Sequence, residues 1–219
     1  MKAKNDHEYK VTKIIHNSSN PTILSNKQSK NLSIGDVLTF GSKIETHDSF
    51  VELRDREGFV LRLGPKSDVA YELPYLFGSN RNQPSESGIL VFFGEIYKYR
   101  KYTPTKILGC AGGAKYRTSC WACIESLYAE NLDEHRDAFY AVDGDINVWE
   151  WDEIGNSFDI VTIPDGYKAI LHYDDSRTMR DRYTVEQVLK ITDIEWDRIV
   201  DRFLNPKNWQ TSHKPVETL

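Results

Sequence analysis

The sequence predicts an all-β protein, mainly an antiparallel sandwich or a short β-solenoid, with a small α-helical C-terminal appendage. Three observations carry this reading. Apolar residues alternate over short runs: Phe59, Leu61 and Leu63 interleave with Val60, Arg62 and Gly64, setting one row of side chains inward and one outward. Turn signals recur at short spacing, at Asp55-Arg56-Glu57-Gly58, Gly64-Pro65, Asp143-Gly144, Gly155-Asn156 and Asp165-Gly166. Aromatic residues make up 12% of the chain while Met occurs only twice, which favours sheet over a helical bundle.

The elements follow in order. Residues 1–30 form a polar arm with loop signals at Ser18–Pro21 and Ser25–Asn31 and one short strand over Tyr9–His16, where Val11, Ile14 and Ile15 are β formers. A β domain spans 31–173. Its first half, about 31–77, holds strands marked by Leu38 and Phe40, by Ser49–Arg54, by Phe59–Leu63 and by Val69–Leu73. Gly64-Pro65 ends the third of these, because proline cannot donate to a ladder. A polar loop, 78–88, separates it from the second half, 88–173. There Ile89–Tyr99 is the most apolar run, with Gly94 marking a bulge or a close backbone approach. Strands over Tyr116–Leu127, Phe139–Val142, Ile146–Trp151, Phe158–Ile163 and Tyr167–Tyr173 complete the set. The tail, 174–219, changes character. Val185, Val188 and Leu189, and then Ile199, Val200, Phe203 and Leu204, sit at helical spacing and predict two short helices. Thr192 and Glu195 fit a capping box, and Asn205-Pro206 stops the second helix.

Composition narrows the function classes. With 219 residues the chain can bury a core without disulfides or metals. A net charge of −5 and the absence of a basic stretch argue against a nucleic-acid partner. No run approaches the length of an apolar membrane span, so membrane insertion is not expected. The N-terminal stretch lacks the apolar core of a secretory signal. The expected location is the cytoplasm for a full-length chain, or the periplasm or cell surface if a signal segment has been removed. Three cysteines are an odd count and do not suggest a disulfide framework.

Two blocks of residues now bear on kinship. The first holds Gly35-Asp36, Thr39, Ser42-Lys43, Val51-Glu52-Leu53, Gly58 and Leu61-Arg62-Leu63-Gly64-Pro65-Lys66-Ser67. The second holds Gly94-Glu95-Ile96, Tyr116-Arg117-Thr118-Ser119, Tyr140–Val148 and Ile163-Pro164-Asp165-Gly166-Tyr167-Lys168. Their order resembles the FecR-type domain, over Leu32 to about Leu171. The chain departs from that pattern at Arg117-Thr118, where the family has Gly-Thr, and at Cys120, which stands near its usual aromatic position. The resemblance implies a β-rich domain of bacterial envelope sensing or the cell surface, with no catalytic residue and no cofactor.

Several motifs offer chemistry. Cys120-Trp121-Ala122-Cys123 is a C-x-x-C, readable as a zinc half-site or a redox pair, with Cys110 and His135 as the remaining ligands. On a strand, however, positions three apart fall on opposite faces, so a chelate there requires a turn or bulge. The plain alternative is that these cysteines pack as small apolar residues. Asp143-Gly144-Asp145-Ile146-Asn147 begins like a calcium loop, but Val148 and Ile154 stand where Gly and Glu are needed. Gly109-Cys110-Ala111-Gly112-Gly113 lacks the Lys-Ser/Thr of a phosphate loop and reads as a flexible connection. Asp133-Glu134-His135-Arg136-Asp137 reads as an exposed charged loop, and no catalytic triad assembles. Trp149 and Trp151, with Tyr97 and Tyr99, stand at even spacing and could form an aromatic face for a ligand or partner.

These readings combine into one expectation. The chain is a non-enzymatic FecR-like binding or regulatory module acting on a protein partner or a glycan through a sheet edge or an aromatic face. A zinc-binding or redox protein using Cys110, Cys120, Cys123 and His135 is one alternative. A structural subunit docking through its C-terminal helices is another.

Overall fold

The structure is a computed structural model that describes residues 8–39, 41–55, 60–72, 88–100, 106–109, 112–116, 120–127, 135–151, 157–173 and 183–204. Its strands are β1 (Tyr9–Ile15), β2 (Thr22–Ser25), β3 (Gln28–Asn31), β4 (Val37–Leu38), β5 (Lys43–Glu45), β6 (Phe50–Arg54), β7 (Val60–Leu63) and β8 (Asp68–Glu72). They continue with β9 (Gly88–Arg100), β10 (Lys106–Gly109), β11 (Gly112–Tyr116), β12 (Cys120–Leu127) and β13 (His135–Asp143). The last are β14 (Ile146–Trp151), β15 (Ser157–Ile163), β16 (Tyr167–Tyr173) and β17 (Tyr183–Lys190). Helix α1 (Asp193–Ile199) follows and runs into a π-helical turn, Val200–Leu204.

The fold is all-β with a small C-terminal helix, as the sequence predicts. One sheet runs β4-β1-β6-β7-β9-β12-β13-β16-β17. The second runs β3-β2-β5-β8-β9-β10-β11-β14-β15. Among the described residues every pairing is antiparallel except β9 with β10. Strand β9 belongs to both sheets: Gly88–Phe93 pairs with β8, and Ile96–Tyr99 pairs with β7. The change of sheet falls at Gly94, beside a bulge where Asp68 pairs with Phe93 but Val69 with Val91. Glycine and a bulge are the usual means of turning a strand from one sheet into the other.

One core lies between the sheets. Val51, Leu53, Leu61 and Leu63 from the first half join Phe139, Ala141, Ile146, Val148, Ala169 and Leu171 from the second. Tyr9 and Tyr71 meet edge to face within it, 5.4 Å between ring centres. The connections that pass between sheets are laced side by side. Thr46 Oγ1 donates to the Gly64 carbonyl at 2.8 Å and accepts from the Ser67 N–H at 2.8 Å. Ser49 Oγ donates to the Ser19 carbonyl at 2.7 Å. Along the second half, Asp165 accepts from the Gly144 N–H, and Asp145 accepts from the Asp165 N–H. At Thr46, Ser49 and Ser67 the corners are buried and need such bonds, since their backbone groups have lost water, whereas the Asp145–Asp165 bonds lie at the surface.

Four expectations need correction. The N-terminal arm holds the expected strand, β1, paired with β6, but beyond it the arm is not loop alone: β2 pairs with β3 and β5. The loop-like run around Asn26 is a hairpin in which Asn26 and Lys27 both take positive φ, 51° and 64°, the backbone of a two-residue turn without glycine. Gly109–Gly113 reads as a flexible connection, but Gly109 belongs to β10 and Gly112 and Gly113 to β11, and these strands pair antiparallel with Gly109 opposite Gly112. The first predicted helix of the tail is strand β17, paired with β16. A bulge explains the error. Leu171 pairs with Val185 and Ile170 with Gln187, so one extra residue stands in β17. Val185 and Val188, three apart as on a helix, thus both sit opposite core positions, Leu171 and Ala169.

The second predicted helix forms where expected. Thr192 caps α1, its Oγ1 accepting from the Glu195 N–H, while the Glu195 carboxylate accepts from the Thr192 N–H at 3.0 Å. Ile199 and Phe203 pack with Ala138, Tyr140, Val142 and Ile191 on the outer face of the first sheet. Both faces of that sheet are therefore covered, and β7 is buried at every position rather than at alternate ones.

Candidate functional site

The residues named from sequence fall at separate places. Tyr97 and Tyr99 lie on the part of β9 that pairs with β7 and β12. Trp149 and Trp151 lie on β14 in the other sheet. Cys123 pairs with Tyr97 and Tyr140, Cys120 with Arg100, and His135 with Tyr173, which are three different register rows. The β12 ladder with β9 runs unshifted from Cys120 to Ser126, so that pairing contains no turn between the two cysteines. Cys110 lies outside the described residues. Among the described residues no group of three or more His, Cys, Asp or Glu could hold a metal ion.

One register row crosses the helix-covered face of the first sheet. It reads Glu52, Arg62, Tyr97, Cys123, Tyr140, Lys168 and Leu189. At one end Glu52 and Arg62 form a buried ion pair, Nε to Oε2 at 3.0 Å. Glu52 Oε1 also accepts from Thr12 Oγ1 and Arg54 Nε, each at 2.8 Å. Arg62 further donates to the Phe203 carbonyl, which ties the last helical turn to β7. Lys13, paired with Glu52 in register, has its pKa lowered by burial, with Arg62 adding to the effect and Glu52 opposing it. At the other end Lys168 and Arg198 both lie 5.9 Å from the centre of the Tyr140 ring. Lys168 pairs with Glu195. Burial pushes the Glu195 carboxyl up, but its bonds to Lys168 and Thr192 prevail and hold it below the ordinary range. These charges hold the helix down.

Strand β17 forms an edge of the first sheet: among the described residues it pairs with β16 on one side and has no strand on the other. Residues Glu186–Lys190 are all exposed. The Ile191 N–H donates to the Gly166 carbonyl at 2.9 Å, which fixes the alternation: Leu189 also faces β16, while the backbone groups of Val188 and Lys190 point outward. Apolar exposure gathers here. Six of the nine exposed large apolar side chains among the described residues, Tyr167, Val188, Leu189, Ile194, Trp196 and Val200, lie on β16, β17 and the helical segment. At the opposite end of the sheets, β3 and β4 are short, with four and two residues, so those edges offer little to pair with. The sequence signal for this edge was hidden by the helix-like spacing of Val185 and Val188.

No helix among the described residues is long and apolar enough to cross a membrane. Comparison with protein-family models, with curated proteins and with solved structures finds no match to this chain.

Proposed function

We propose that the chain is a non-enzymatic binding or regulatory module of the FecR-like kind, which takes an extended protein segment along the β17 edge. One observation carries this: an eight-residue edge strand has outward backbone groups at Val188 and Lys190 and exposed apolar side chains on both faces, at Val188 and Leu189. An added strand would satisfy the first and cover the second. The FecR-like block from Gly35 to Ser67 supports the reading, since its described residues contribute strands and core.

The test is a selection of random extended peptides on the purified chain, followed by amide mapping of the bound sites. Peptides that protect the Val188 and Lys190 amides support the proposal. Binders that map elsewhere, or turnover in a broad hydrolase screen, would contradict it.

A further inference from the structure

We propose that the segment Thr192–Leu204 is a releasable strap, which leaves the outer face of the first sheet as one unit while both sheets stay folded. The proposal stands apart from the edge-binding reading, and three observations carry it. First, the strap is anchored in a small core of its own. Ile199 and Phe203 pack with Ala138, Tyr140, Val142 and Ile191, a cluster separate from the one between the sheets. Second, α1 has seven residues, too few to stay helical without a surface to pack on. It is therefore docked and helical, or undocked and unwound. Third, single side chains join its folding to its docking. Glu195 Oε2 accepts from the Thr192 N–H at 3.0 Å and from Thr192 Oγ1 at 2.9 Å, which closes the cap, while Oε1 accepts from Lys168 Nζ on β16. At the far end Arg62 on β7 gives Nε to Glu52 and Nη1 to the Phe203 carbonyl. Between them Arg198 donates to the Tyr140 hydroxyl at 3.2 Å. Undocking takes Lys168 away from the carboxylate that caps the helix, so the ties fail together.

The sheet beneath has other support. Strand β13 pairs on both sides, with β12 and β16, and its residues Phe139 and Ala141 belong to the core between the sheets. The hinge falls after Ile191, whose N–H is held by the Gly166 carbonyl. Release would uncover Ala138, Tyr140 and Val142 and free the Arg62 hydrogen given to Phe203. The strap is thus a built-in cover over an apolar strip with a cation at one end. The alternative is a helix lost only when the whole chain unfolds, as part of a single cooperative unit.

Amide exchange of the intact chain in low urea decides between the two. The Trp196 amide, bonded to the Thr192 carbonyl, and the Val200 amide, bonded within the last turn of α1, report the strap. The β13 amides report the sheet. The strap amides should exchange through one common opening, about tenfold or more faster than the slowest β13 amides and with a smaller urea dependence. Lys168→Gln removes a charged donor and should speed the strap amides about tenfold. Ile163→Val separates the models, because it trims the core between the sheets rather than the strap's own cluster. It should speed the β13 amides about threefold to tenfold and leave the strap amides unchanged, since the opened strap still sits beside a folded core. Strap and β13 amides that share one rate and one urea dependence would overturn the proposal. So would an Ile163→Val variant that speeds both sets equally, or strap amides indifferent to Lys168→Gln.

Discussion

Arg62 and Glu52 face each other across the β6–β7 ladder as a buried ion pair, and Arg62 also carries the end of the C-terminal helix through the Phe203 carbonyl. The pair thus connects the stability of the first half to the docking of the last element. Its two charges are compensated by each other, by Arg54 and by Thr12. Removing one partner strands the other away from water.

Glu52→Leu alone is therefore expected to cost about 3–5 kcal/mol, as breaking a buried pair typically does. The double variant Glu52→Leu/Arg62→Met should recover most of that loss, because two apolar side chains need no partner. Urea unfolding of the two variants and the parent checks this. A single-variant loss near zero would show that the pair is solvated.

The helix cap gives a second prediction. Thr192→Ala should cost about 1 kcal/mol, since it removes one side of the capping box. Glu195 adds a pH dependence. Its folded-state pKa lies below the ordinary value, so its contribution is fully present above the unfolded pKa and disappears as pH falls through the depressed folded value. The stability difference between the parent and Glu195→Gln should therefore shrink below about pH 4, the ordinary range for a glutamate. A difference that stays constant down to strong acid would contradict the assignment.

Thr46 tests the lacing of the corners. Thr46→Val keeps the shape but leaves the Ser67 N–H without its Thr46 acceptor and the Gly64 carbonyl without its Thr46 donor. The expected loss is about 1–3 kcal/mol, the range for stranding buried polar groups. Thermal unfolding reads it, with Ser18→Ala as the exposed control, whose hydrogen bond to Asp48 lies at the surface. Equal effects at the two sites would mean that the corner bonds are not special.

Much of the fold was legible because strand alternation and turn residues are local signals. Gly64-Pro65 ends β7 after Leu63, and the Thr192–Glu195 cap opens α1, as their chemistry requires. What was not legible depends on distant partners. The burial of Glu52 and Arg62 follows from a helix that arrives more than a hundred residues later, to reach the Phe203 carbonyl. The β17 edge was masked by a bulge that makes a strand read with helical period. The aromatic residues Tyr97, Tyr99, Trp149 and Trp151 share an even spacing, but the spacing cannot reveal that β9 and β14 place them in different sheets.

The most direct test of the account is residue-resolved amide exchange along β17 with and without the selected extended peptides. In dilute solution Leu189 and Ile191, bonded toward β16, should exchange slowly, and Val188 and Lys190 rapidly. With a selected peptide bound, Val188 and Lys190 should slow as well. Fast exchange at Val188 and Lys190 in the presence of every selected peptide would contradict the edge-binding account.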